Sequence, residues 1–297
     1  MATLERSAVF PETARPQRRR EGLRWRLWFG LRRNALAWVA IAFLAVAGGA
    51  ALLAPVAAPH APTAMHREVR FAAPSANYPF GTDEFGRDTL SRLIHGGRIS
   101  LTVGISSVLG ALLVGVPLGL TAGFFRRLDN PIMRVMDVFL TFPDILLAIA
   151  IMAALGPTVR NVMIAIAIIN VPIFARITRS LVLGAKQLAY VEAARTLGRT
   201  DAAIIGRHIL PNVLSPLVVQ STLSLGFAIL TEAALSFLGL GTQPPTPSWG
   251  LMLNTARNYM EYSSWIAVFP GLAIFLTVFS FNILGDFLRD VLDPRLK

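Results

Sequence analysis

The sequence predicts an all-α, polytopic membrane protein with about six transmembrane helices. Three observations carry that expectation: long apolar stretches recur along the chain, charged residues are scarce, and the cations fall in blocks between the stretches. Of 297 residues, 54% are hydrophobic and 15% charged, whereas a soluble domain averages about a quarter charged. Mean hydropathy is +0.56. The absence of cysteine excludes a disulfide, a thiolate metal site and a cysteine nucleophile. Long apolar runs with few charges also exclude a disordered chain, a collagen or a coiled coil. The net charge of +11 invites a nucleic-acid reading. Arginines grouped between apolar runs are instead what membrane topology requires, so no nucleic-acid partner is expected.

A basic tail, 1–34, precedes the first span, 35–58, which carries no charge and is long enough to cross ~30 Å of hydrocarbon. The small residues Val56, Ala57 and Ala58 behind a basic start suggest a secretory signal. Signals, however, run to about 15–30 residues with an apolar core of about 7–15, and here the core starts later and is longer. The expectation is an uncleaved anchor, whose arginine-rich head, 15–33, sets topology and touches anionic membrane lipid.

A hydrophilic outer segment, 59–98, follows. It is rich in proline at its start (Pro55, Pro59, Pro62) and ends in FGTDEFGRDTLSRLIHGGR. Asp88 is placed to cap a short interfacial helix with Leu90, Leu93 and Ile94 on one face. Asp83, Glu84 and Asp88 also admit a cation site, but their spacing fits no EF-hand loop, and turn and capping roles are favoured.

The remaining spans form a five-helix core, 99–285. In the second, 99–123, Gly115, Gly119 and Gly123 repeat every four residues, leaving one face bare for a neighbouring helix. The third, 137–156, is interrupted at Pro143-Asp144, where a helix is expected to restart. Proline suits a first turn, and Asp144 would meet the free amides at the positive dipole end; a substrate-path role for Asp144 is the rival reading. The fourth is 161–175. The fifth, 212–240, contains Glu232, and an acid inside a span is by default a functional-site hypothesis. Gate or substrate path stands against a structural hydrogen bond to backbone near Gly239 or Gly241. The sixth, 265–285, leads into the tail 286–297.

Counting cations orients the chain. Segments 1–34, 124–136, 176–211 and 286–297 share one side and hold 21 Lys and Arg; the other side holds seven. The richer side marks the cytoplasm, so both termini are expected there.

The inner segment 176–211 reads as a helix–turn–helix hairpin. Leu188, Val191, Ala193 and Ala194 form an apolar face, with Lys186 and Arg195 outside it. Gly198 ends the first helix in a left-handed conformation. Thr200 or Asp201 caps a second helix carrying Ile204, Ile205 and Ile209, and Pro211 stops it. Such a hairpin has apolar surface in excess, implying a protein partner or the span ends beneath it.

Glu192-Ala193-Ala194, Gly198 and the closing Leu210-Pro211 resemble the EAA loop of ABC importer membrane subunits. That family closes on I-x-L-P; here His208 stands at the isoleucine position, with Ile209 beside it. Residues 80–101 and 232–253 are similar to the dipeptide/oligopeptide/nickel permease family, specifically its second, C-type subunit. The likeness covers about 80–297.

The resemblance implies an ABC type I importer permease fold. It also implies a second homologous permease subunit, two cytoplasmic ATPases, and a periplasmic or lipid-anchored solute-binding protein. Glu192, Ala193, Ala194, Gly198, Leu210 and Pro211 would couple to an ATPase. The chain has no G-x-x-x-x-G-K-[ST] loop. No cofactor is therefore expected on this chain, with ATP and magnesium on the partner ATPases. The location implied is the bacterial inner membrane, and the substrate a di- or oligopeptide, with nickel chelates or other small solutes as alternatives. A membrane enzyme fits poorly: His60, His66, His95 and His208 all lie outside spans, and no G-x-S-x-G or H-E-x-x-H occurs. An ion-coupled secondary transporter would rest on Glu232 alone.

Overall fold

The computed structural model describes residues 28, 30–32 and 34–292. Most of the basic tail, including nearly all of the head expected to touch lipid, and residues 293–297 lie outside the described residues.

Helix α1 spans Ala35–Leu52, capped by Asn34, whose side chain accepts from the Ala37 amide at 3.0 Å. A short helical turn follows at Ala54–Ala57. Next come α2 (Thr89–Phe124), α3 (Arg126–Leu140), α4 (Asp144–Leu155), α5 (Val159–Ala185), α6 (Ala189–Thr196) and α7 (Asp201–Ile204). A π turn, Ile205–Ile209, leads into α8 (Leu210–Phe237), followed by α9 (Trp249–Ala256) and α10 (Trp265–Leu292).

Glycine contacts give the helix directions. Going down α2, a Cβ on Gly110 would meet Ala167, one on Gly115 Val171, one on Gly119 Ala175 and one on Gly123 Val182. The numbers rise together, so α2 and α5 are parallel, and the chain between them must return across the bundle. Gly104 faces Ile229 and Ser100 bonds Glu232, and Gly226 faces Val278 while Gly285 faces Thr222, so α8 runs antiparallel to both α2 and α10. Among the described residues five helices are long and apolar enough to cross a membrane, and six spans result when the return through α3 and α4 is counted as one. Gly30 packs against Val291 and Phe287, which puts the described start of the chain and the end of α10 together. The core holds Phe174, Ile166, Val103 and Val108 among its fully buried side chains.

Three boundaries differ from the sequence reading, while the helix restart expected at Pro143-Asp144 is present. Asp88 caps no separate interfacial helix: it accepts from the Leu90 and Ser91 amides at the start of α2 itself, 36 residues long. At 1.5 Å per residue α2 measures ~54 Å, so its first turns rise beyond the ~30 Å hydrocarbon layer. The Gly96-Gly97 pair does not break it, because Trp249 packs there; a Cβ on Gly97 would stand 2.9 Å from the indole.

The third span is two helices bent by 92°, with Pro143 as the cap of α4 and Asp144 in its first turn. The fourth span runs ten residues beyond 175. Its arginines do not end it, because Arg176 pairs with Asp137 at 2.6 Å and Arg179 with Asp129, both on α3. Pro211 does not stop the hairpin. It lies in the first turn of α8, where the missing N–H has no intrahelical partner to lose.

Candidate functional site

The hairpin expected from the sequence comprises α6, a glycine turn and α7. Gly198 has φ +71°, the left-handed conformation glycine adopts without strain. Thr200 caps α7, accepting from the Ala203 amide at 3.4 Å. Val191, Ala194, Ile204 and Ile209 are buried in one cluster with Phe124, Val182 and Val213, so the hairpin is seated on the ends of α2, α5 and α8. Its other face is open. Glu192 and Ala193 are exposed, Leu197 is 83% exposed, and Leu188 and Tyr190 are exposed as well.

Two sequence assignments change here. Leu188 and Ala193 belong to the open face, because α6 starts only at Ala189 and its inward stripe passes through Val191 and Ala194. Lys186 is engaged with the fold: its Nζ donates to the carbonyls of Phe124 at 2.8 Å and Gly123 at 3.3 Å, closing the C-terminus of α2. Leu210 and Pro211 open α8. Beside them the Asn212 amide donates to the Tyr190 hydroxyl at 3.0 Å and to the His208 carbonyl at 2.6 Å, joining α6 to the π turn and α8.

Glu232 is 1% exposed. Its carboxylate accepts from Ser100 Oγ at 2.7 Å on α2 and from Ser236 Oγ at 2.8 Å on α8. Ser236 Oγ in turn accepts from the Thr242 amide at 3.1 Å, and Ser100 Oγ from the Trp249 amide at 3.4 Å. The expected bond to backbone near Gly239 or Gly241 is therefore replaced by a serine relay, which ties α2, α8 and α9 at the end opposite the hairpin. The approach is close: a Cβ on Gly250 would stand 2.4 Å from the Ala233 carbonyl oxygen. Asp144 is half-buried in the first turn of α4.

Gly115, Gly119 and Gly123 form the seam with α5. A Cβ on Gly119 would lie 2.4 Å from the Ala175 carbonyl oxygen, so the two backbones touch.

The acids of the outer segment are taken up by arginine. Asp83 accepts from the amides of Phe85 and Arg87 at 2.9 Å and pairs with Arg87 at 2.6 Å and Arg92 at 3.3 Å. Glu84 pairs with Arg87 at 2.6 Å. All four side chains are buried. Burial, then the neighbouring Asp83, pushes the Glu84 carboxyl up. Among the described residues no group of three or more His, Cys, Asp or Glu is placed to hold a metal ion. The i,i+4 spacing of Asp83 and Arg87 was a readable cue to this knot, whereas Arg92 and Ser100 were reached only through the fold.

Two sizeable cavities lie at opposite ends of the bundle. One of about 640 Å³ at the hairpin end includes Asn212, Gln220, Asp286 and Arg289 in its lining. The other, of about 570 Å³, lies between the outer part of α2, the start of α5 and the 245–247 loop.

Comparison with known proteins agrees with this architecture. Residues 115–297 match the family described as binding-protein-dependent transport system inner membrane component. The chain is 46% identical over 275 residues to the dipeptide transport system permease protein DppC of Alkalihalophilus pseudofirmus, covering 92% of this chain and 90% of that protein. It is 47% identical to the di/tripeptide transport system permease protein DppC of Pseudomonas aeruginosa, covering 91% of each. It is 52% identical to the glutathione transport system permease protein GsiD of Pectobacterium atrosepticum over 75% of each. Among solved structures, a chain of the inward-facing MetNI methionine ABC transporter is similar in fold. The TM-score is 0.56 at 18% identity, over 67% of this chain and 95% of that one. The chain belongs to the binding-protein-dependent transport system inner membrane component family, as a multi-pass inner-membrane permease subunit.

Proposed function

We propose that this chain is the membrane-spanning subunit of an ATP-driven, binding-protein-dependent importer of di- or oligopeptides. The observation that carries the reading is the near full-length likeness to dipeptide and di/tripeptide permeases. The chain works beside a second homologous permease and under two cytoplasmic ATPases, which hold ATP and magnesium. A solute-binding protein delivers peptide to the opposite face. The hairpin end faces the cytoplasm, in keeping with its share of the cations.

Coupling runs through the hairpin. Its open face, with Glu192, Ala193 and Leu197, docks on an ATPase, while its inner face is packed on α2, α5 and α8. Displacing the hairpin when the ATPases close moves those span ends together, and the bundle changes its open side. The Glu232 relay holds the outer ends of α2, α8 and α9 as one unit in that motion.

The test is dipeptide uptake into proteoliposomes containing the assembled subunits and the binding protein. Uptake should require ATP and the binding protein and should survive collapse of ion gradients. Uptake that stops with an ionophore and proceeds without ATP would contradict the reading.

A further inference from the structure

We propose that the outer cavity bordered by His95, Arg98 and Thr102 is a subsite for the free carboxylate of the peptide in transit. The idea rests on the peptide-importer reading and adds to it a place and a chemistry for the substrate.

The cavity measures about 570 Å³, within the ~300–1,000 Å³ typical of small-ligand sites. His95, Arg98 and Thr102 come from one face of α2, at spacings of three and four. Thr63 and Thr246 add hydroxyls, and Ile99, Met163 and three prolines add apolar wall. No acid lines the cavity. The hairpin-end cavity differs, because Asp286 stands there with Arg289 and the charges balance.

Arg98 is exposed on a transmembrane helix, and among the described residues its guanidinium has no acidic partner. Arg87 and Arg92, earlier on the same stretch of chain, are consumed by Asp83 and Glu84. A guanidinium matches a carboxylate with two parallel hydrogen bonds, and the first turns of α2, which carry Arg98, stand outside the hydrocarbon, where a peptide arrives. His95 holds its Nδ1 proton on the Ser91 carbonyl at 2.9 Å, which leaves Nε2 free. The wall is stiff where it matters: Ser100, two residues beyond Arg98, is tied to Glu232 and to the Trp249 amide.

The chain has no cysteine, so a single Thr102→Cys places one thiol at the site. With the partner subunits in proteoliposomes, the rate of labelling by an impermeant thiol reagent is measured with dialanine and with its C-terminal amide. Dialanine should slow labelling roughly tenfold and the amide should not, as for one charge-assisted pair. Adding Arg98→Gln should abolish protection, and Arg98→Lys should retain part of it. Arg98 is exposed, so both variants should assemble. Equal protection by the two compounds, or protection that survives Arg98→Gln, overturns the subsite. So does labelling slowed by phosphatidylglycerol in the vesicles, which assigns Arg98 to lipid phosphate, or by the ligand-free binding protein alone. Dialanine uptake in the same vesicles separates the two readings: uptake without protection removes the subsite only, and no uptake removes the importer reading beneath it.

Discussion

Replacing Glu232 separates a hydrogen-bonding role from a role for charge. Glu232→Leu removes both acceptors of the relay and leaves the hydroxyls of Ser100 and Ser236 buried without their partner. An unsatisfied buried donor costs about 1–3 kcal/mol, which gives an upper bound of about 6 kcal/mol for two. Each serine lies within a helix and can turn back to the carbonyl four residues earlier, so about 2–4 kcal/mol is expected. Glu232→Gln keeps one carbonyl acceptor, and its amide can donate to the second serine, whose oxygen has a lone pair to spare. The loss should then be about 1 kcal/mol or less. Thermal unfolding of the purified complex and ATP-driven uptake should both rank wild type, Gln and Leu in that order, with Leu well below. Adding Ser100→Ala to Glu232→Leu removes one orphaned hydroxyl, so the double variant should lose less than the two single losses added together. If Leu matches wild type in both assays, the relay has no structural weight. If Gln fails as badly as Leu, charge rather than hydrogen bonding is what the site needs.

Three further expectations follow from the packing. Gly119→Ala forces a methyl to within 2.4 Å of the Ala175 carbonyl oxygen and should lower thermal stability sharply, whereas Gly184→Ala meets nothing within 4 Å and should be neutral or slightly stabilising. Arg87→Met leaves Asp83 and Glu84 buried with only Arg92 nearby; it should destabilise by about 3–5 kcal/mol, and adding Glu84→Gln should recover part of that. A cysteine at Arg67 should react with an impermeant maleimide in intact spheroplasts and one at Arg199 should not; the reverse pattern overturns the orientation.

The spans were legible because uninterrupted apolar runs have few other uses, and the glycine stripe because its four-residue period exposes backbone on one side. The hairpin was legible through Gly198, whose φ of +71° is the conformation that makes glycine fit there. What escaped depends on partners far along the chain. Arg176 and Arg179 looked like the end of a membrane segment, yet α5 continues past them because Asp137 and Asp129 neutralise them from α3. Ser236, four residues after Glu232, was a local cue to the relay; Ser100, 132 residues away, was not. Pro211 reads as a stop in any local pattern. It sits instead at a helix start, because the π turn before it carries the chain straight into α8.

The coupling role of the hairpin is the centre of this account, and the ratio of ATP hydrolysed to peptide imported tests it most directly. In proteoliposomes Glu192→Lys reverses the charge on the open face of α6, and Gly198→Asp strains a left-handed turn by ~1–2 kcal/mol, too little to unfold a bundle of this size. Both variants should remain in the membrane yet lose the ATPases on purification, or retain them with hydrolysis no longer yielding uptake. ATPases still bound, with an unchanged ratio and rate in both variants, would contradict the assignment of this hairpin as the coupling element.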